Sequence, residues 1–293
     1  MTLFRYAVAL VAVTFVLLLV GGTVNPTGSS LACPDWPLCY GQVFPKMEGG
    51  VLFEHTHRLV ATLVGLMTIG LAVAIARARR DDRDLVRRGW IALGLVIAQG
   101  VLGGVTVLLK LPLIVSATHL ALSMFFFCFL IDIAFRLWPG AWPTSAGAID
   151  RTGAVIGGLA VYFQIVLGAL VRHTESGRAC GQDWLLCGGE LWPGYGPAQL
   201  HMTHRFVGYI VFVILMITGA RMLRSAKATN RRFAKILAMT IHPLIALQVI
   251  FGWLTVSTGI GVHPVVAHLG GGAALLAVHW AAYLALGPRP GGR

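Results

Sequence analysis

Eight stretches of roughly 20 mostly apolar residues, each long enough to cross a bilayer as a helix, dominate this 293-residue chain. They lie near 6–23, 57–76, 89–109, 112–135, 153–171, 204–223, 233–256 and 264–286. Lipid offers a backbone no hydrogen-bond partners, so each stretch is expected to be a transmembrane α-helix. Composition agrees: 57% of residues are hydrophobic and 12% charged, against about 25% charged in a soluble domain. That excludes a pair of soluble domains, a disordered chain, a collagen-like chain and a small disulfide scaffold. The first stretch follows Arg5 without a small-residue cleavage site close behind it. Ser30-Leu31-Ala32-Cys33 is a distant, poor lipoprotein-like match. The stretch therefore reads as a span and not a cleaved signal.

A net charge of +12 would elsewhere point to nucleic acid. Here it is arranged by side. Arginines and lysines crowd 77–88, between spans two and three, and 221–235, between spans six and seven. With Arg5, Arg136, Arg151, Arg289 and Arg293, 17 of the 23 basic residues share one side. Lys46, Arg58, Lys110, Arg172, Arg178 and Arg205 are on the other. The positive-inside rule puts both termini in the cytoplasm. The charge is topological, the surrounding partner is the lipid bilayer, and no nucleic-acid partner is expected. Association into a homo-oligomer is compatible with such a chain.

Loops 24–56 and 172–203 then face outward, with Cys33, Cys39, Cys180 and Cys187; Cys128 lies inside span four. Two close cysteine pairs on the oxidising side read first as two disulfides. Redox-active dithiols and a metal site are the alternatives, although a CxxC spacing is missing.

The chain also repeats itself. Val24, Thr27 and Ala32-Cys33 match Val171, Thr174 and Ala179-Cys180 at an offset of 147. Cys33-Pro-Asp-Trp-Pro-Leu-Cys39 matches Cys180-Gly-Gln-Asp-Trp-Leu-Leu-Cys187 with one insertion. His57-Arg58 matches His204-Arg205, also at 147. Gln99 with Gly103 matches Gln248 with Gly252, and His119-Leu120 matches His268-Leu269, at 149. The expected architecture is all-α and integral to the membrane: two tandem four-helix halves, 1–140 and 141–293. Four spans per half give both halves one orientation, a parallel repeat.

The chain has ten histidines, and those inside spans are functional hypotheses by default. His57, His119, His204 and His268 are the ones the repeat duplicates. Each half puts one at the start of its second span and one early in its fourth. Two imidazoles on two helices of one bundle, in the outer third of the bilayer, suit the axial positions of a haem iron. A structural zinc site wants four close ligands. Proton relay, transport and plain hydrogen bonding remain alternatives. Arg58 and Arg205 follow two of these histidines and are candidates to pair with haem propionates, or to anchor at the membrane interface. Gln99, Gln248 and Gln164 can either orient a ligand histidine or tie helices together. His242 and His279 read equally well as helix-to-helix hydrogen bonds.

The repeat breaks at one telling position. Glu54 precedes His57 by three residues, where the second half has His201. Residues i and i+3 share a helix face, so a carboxylate sits beside only the first pair. It can hold or move a proton in oxidative chemistry, or serve as a helix N-terminal charge.

Taken in order, Glu54-x-x-His57-Arg58, Thr118-His119, Thr203-His204-Arg205 and Ala267-His268-Leu269-Gly270 resemble the haem A synthase family over nearly the whole chain. The paired loop cysteines resemble its shorter bacterial type. The resemblance implies an oxidoreductase that converts the C8 methyl of substrate haem O to a formyl group by successive hydroxylations. It implies haem B as electron-transfer cofactor on His204 and His268, substrate haem on His57 and His119, and Glu54 as the catalytic carboxylate. It further implies a functional role for a Cys33–Cys39 disulfide, and a haem O synthase as the partner delivering substrate, in the bacterial cell membrane. The electron donor is left open by the residues. The competing readings are a two-haem b-type cytochrome taking electrons from quinol, and a non-catalytic haem transporter or assembly scaffold. With all four histidines on the outer side, the two haems would share one level, which disfavours a carrier across the membrane. Apart from Asp132, near the inner end of span four, the polar groups avoid the midplane, which disfavours a transporter.

Overall fold

The structure is a computed structural model describing residues 2–140, 151–228 and 232–287. It consists of α1 (Leu3–Val24), α2 (Gly49–Ala78), α3 (Arg83–Leu108), α4 (Leu113–Arg136), α5 (Thr152–His173), α6 (Gly196–Ala228), α7 (Arg232–Ser257) and α8 (Val262–Leu286). All eight are long and apolar enough to span a membrane. The described residues form no strand; a single 3₁₀ turn, Ser176–Arg178, follows α5. The boundary expected at 140/141, and Arg231, Arg289 and Arg293 of the charge asymmetry, adjoin or lie outside the described residues.

Local chemistry sets the ends. Thr2 caps α1 by accepting from the Arg5 N–H, and Asp82 caps α3 by accepting from the Leu85 N–H. The α3–α4 and α7–α8 turns are built alike. Leu111 N–H returns to Thr106 O at 2.8 Å, and Ile260 N–H to Thr255 O at 2.8 Å. Each closes a six-residue C-terminal cap through residues of positive φ: Lys110 and Leu111 in one turn, Gly259 and Ile260 in the other.

Two helices start well before the apolar stretches that announce them. The stretches near 57 and 204 belong to helices beginning at Gly49 and Gly196. Window hydropathy skips these first two turns because they carry Glu54, His55 and His201. As a result His57, His119, His204 and His268 all sit about two turns inside their helices, whereas the sequence puts His57 and His204 at the very start of theirs.

Helix α1 packs on α2 and α4, and α3 on α2 and α4, closing one ring. Helices α5 to α8 close a second ring in the same cyclic order. One core holds Leu10, Leu71, Ile75, Leu130 and Ile133 within the first ring. The larger core does not respect the division. Leu18 of α1 and Met124, Phe127 and Ile131 of α4 join Leu215, Ile241 and Leu275 in one cluster. At the other end of α3 and α4 from the histidines, Asp132 pairs with Arg88 at 3.0 Å and Arg136 at 2.8 Å. The exceptional buried acid of span four is thereby balanced.

Candidate functional site: two histidine pairs under two disulfide loops

The residues following α1 and α5 fold into matching loops. Cys33 and Cys39 are joined, S–S 1.98 Å, as are Cys180 and Cys187, S–S 2.10 Å. Each second cysteine makes a tight bridge, Cys39 with Gln42 and Cys187 with Glu190. Inside the first loop Asp35 accepts from the N–H groups of Tyr40 and Gly41; inside the second Asp183 accepts from Leu185, Leu186 and Gly189. These bonds favour the ionised carboxylate. The Gly41 N–H foremost holds Asp35 below its ordinary value, and the Leu186 N–H does the same for Asp183. His55 brings a ring nitrogen within 4.8 Å of both first-loop sulfurs. With those sulfurs bonded to each other, no thiolate remains to make a metal site.

The loops are fastened to the helices below by the two arginines. Arg58 donates Nη1 to the carbonyls of Asp35, at 2.7 Å, and Leu38. Its Nη2 donates to Cys33 O at 3.1 Å and to Glu54 Oε1 at 2.6 Å. The other carboxylate oxygen of Glu54 accepts from the Cys33 N–H at 3.0 Å. Glu54 is thus buried, ion-paired, and bound to the disulfide loop itself. In the second ring Arg205 donates to Leu186 O at 2.8 Å, and its Nε reaches His201 Nε2 at 3.4 Å. His201 occupies the place of Glu54 but offers no carboxylate. Both guanidiniums turn into loops, and Arg205 keeps one buried nitrogen, Nη2, without a partner.

Below the loops lie the histidines, all half-buried. His57 and His119 stand on α2 and α4 of the first ring, His204 and His268 on α6 and α8 of the second. Each is backed by a glycine on a neighbouring helix. A Cβ on Gly21 would meet His57 at 2.9 Å, on Gly103 His119 at 3.0 Å, on Gly168 His204 at 3.1 Å, and on Gly252 His268 at 3.1 Å. Gly21 and Gly168 are 147 apart, Gly103 and Gly252 are 149 apart, the offsets of the histidines themselves.

The glutamines reach the same rings. Gln99 Nε2 lies 3.1 Å from His119 Nδ1 and donates to the His119 carbonyl at 2.9 Å. Gln164 Nε2 stands likewise to His204, at 3.2 Å from Nδ1 and 2.8 Å from the carbonyl. Gln248 Nε2 donates to His268 O at 3.0 Å, while His268 Nδ1 donates to Gln248 O at 3.2 Å. A ring that gives its Nδ1 proton to a carbonyl presents a lone pair at Nε2, the form that ligates a metal. His57 has no hydrogen-bond partner among the described residues. Four imidazoles, three of them held from behind by a glutamine and all four slotted against glycines that leave room at the ring, fit as donors to haem iron. The other histidines are placed elsewhere. His279 is fully buried and bonded to Leu275 O one turn back at 2.8 Å; His242 lies against Gly219.

Sequence reasoning found the histidines and missed the glycines. Gly103 and Gly252 stood inside a quoted repeat motif; their role needs the neighbouring helix to be seen. Gln164 has no repeat partner, since the matching position is Leu17.

The chain is similar to known proteins over most of its length. The family described as "Cytochrome oxidase assembly protein" (COX15-CtaA) matches residues 4–280. A protein named "Heme A synthase" from Symbiobacterium thermophilum is 34% identical over 261 residues, 83% of this chain and 82% of that protein. One of the same name from Alkalihalophilus pseudofirmus is 34% identical over 211 residues, 69% of this chain and 70% of its own. One from Bacillus pumilus is 28% identical over 283 residues, 90% of each chain. With eight spanning helices and a match running almost end to end, the chain belongs to the COX15-CtaA family of cytochrome oxidase assembly proteins.

Proposed function

We propose that this protein is a haem A synthase of a bacterial cell membrane, oxidising the C8 methyl of haem O to a formyl group by successive hydroxylations. The observation that carries the reading is an asymmetry. Two histidine pairs are built alike, with matching glycines and matching loops, yet a buried carboxylate stands over only one of them. Two permanent electron carriers would have no use for that difference. A reacting centre beside a relay centre does.

In this reading His57 and His119 hold the substrate haem, and His204 and His268 hold haem B. The haem B supplies single electrons to the reacting side. The residues of the chain do the rest. The Gln248 carbonyl takes the Nδ1 proton of His268 and leaves its Nε2 for iron, while the Gln99 and Gln164 amides, donating to the carbonyls of His119 and His204, fix where those rings stand. Glu54, one turn from His57, holds and moves a proton at its carboxylate oxygens. Its ion pair with Arg58 and its bond to the Cys33 N–H set where that carboxylate sits. Arg58 contributes by fixing the loop over the site, and the free Nη2 of Arg205 is available to a propionate of haem B. The cysteine loops face outward, where a disulfide persists, and a haem O synthase delivers the substrate within the bilayer.

Pigment analysis tests the reading. The protein is expressed with and without a haem O synthase, and extracted haems are identified by mass. Haem A, or its hydroxylated intermediate, is expected only when haem O is supplied. Haem B alone, filling both sites under both conditions, refutes the synthase reading and favours a two-haem cytochrome.

A further inference from the structure

Arg172 is the cation the arrangement leaves without a job. It ends α5, in the second ring, yet its Nη2 points across to α1 of the first, 3.4 Å from both Gly21 O and Gly22 O. Those are long contacts for a charged donor, which prefers about 2.7–2.9 Å. Its Nε is buried with no partner at all, and no carboxylate among the described residues pairs with it. A guanidinium cannot shed its charge, so a half-buried one in a spanning helix with no carboxylate partner is a functional signal. By contrast, Arg58 has four short partners on the loop and Glu54.

Its position names the anion it waits for. Gly21, whose carbonyl Arg172 reaches, is the residue against which His57 is slotted. The guanidinium therefore lies on the stretch of α1 backbone that backs His57. A planar fork with free N–H groups, at the outer edge of a haem-sized site, matches a carboxylate in bidentate fashion.

We propose that Arg172 binds a propionate carboxylate of the haem held between His57 and His119. This rests on the haem-binding reading of that pair given above. It makes the first site a joint product of both rings: ligands from α2 and α4, the carboxylate anchor from α5. The repeat supplies no equivalent, because the position matching Arg172 is Asn25.

The test is a titration of the full-length protein in detergent with haem O, followed by absorbance, with His119→Ala to identify the binding that belongs to this pair. Arg172→Gln is expected to weaken that binding roughly tenfold to a hundredfold, the loss of a charge-assisted bond, and Arg172→Lys to recover part of it. The haem of the other pair should keep its affinity and midpoint potential. Haem O dimethyl ester, which carries no propionate charge, should bind the unaltered protein as weakly as haem O binds Arg172→Gln, and should bind both proteins equally. The ester comparison holds even if a variant folds poorly. Equal affinity of haem O and its ester for the unaltered protein overturns the proposal while leaving the synthase reading intact; the arginine then serves lipid headgroups. Absence of any haem binding sensitive to His119→Ala overturns both.

Discussion

At the scale of single residues, a carboxylate, an arginine and a backbone N–H meet one turn from His57, where the proposed function puts its chemistry. Glu54 is held by Arg58 at 2.6 Å and by Cys33 N–H at 3.0 Å. Breaking a buried pair by removing one partner leaves the other charge uncompensated, at a cost of about 3–5 kcal/mol. Glu54→Gln is gentler than Glu54→Ala, since its side-chain carbonyl still accepts from Cys33. Both variants are expected to keep haem bound to all four histidines and to lose formyl product, read by extracting and weighing the haems. Full activity in Glu54→Gln would remove the carboxylate from the chemistry. The identity of these residues was legible in the sequence through the broken repeat. Their partners were not. Arg58 and Arg205 read in the sequence as partners for haem propionates; the carbonyls of Cys33, Asp35, Leu38 and Leu186, to which these guanidiniums donate, carry no sequence signal.

At the scale of helices, the pairing of glycine with histidine decides whether a ring can stand where iron needs it. A valine at Gly103 or Gly168 would place its Cβ 3.0 or 3.1 Å from an imidazole carbon, with two methyls beyond it. Neither histidine can retreat, as Gln99 and Gln164 stand against their Nδ1 atoms. Gly103→Val is expected to empty the first site and Gly168→Val the second, each measured as the loss of about one haem per protein by pyridine haemochrome. Gly94→Ala, where a Cβ meets nothing within 4 Å, should leave the pigment unchanged. Apolar length and flanking charge revealed all eight helices, but not the true starts of α2 and α6. A hydropathy window ends where Glu54 and His201 begin, whereas the backbone continues its hydrogen bonding through them. Polar side chains can extend a spanning helix when loops meet their needs, and here the disulfide loops do so.

At the scale of the whole molecule, the basic residues of 77–88, 221–228 and 232–235 lie at the end of the helices away from the cysteine loops. Both termini are accordingly expected in the cytoplasm and both disulfides outside. A membrane-impermeant thiol reagent should label single cysteines placed near residues 40 and 190 in intact cells, and cysteines placed near 80 only after permeabilisation. The reverse pattern would invert the topology. Sequence alone expects two halves with a seam near 140; in the structure the helices pack as two closed rings. The seam is not bare, however. Leu18, Met124, Phe127 and Ile131 sit in the same core as Leu215, Ile241 and Leu275. Residues that serve both rings look, in a linear reading, like ordinary span interior.

That shared core has a kinetic meaning. Two haems mounted on rings that rocked against each other would exchange electrons only in those moments when the rings drew close. Here α1 and α4 are packed into the second ring along their buried faces, at interior density that resists deformation. On the proposed reading, this shared core would hold the gap between His57–His119 and His204–His268 at one dimension, and delivery of each electron would follow that distance and the energies of the two sites.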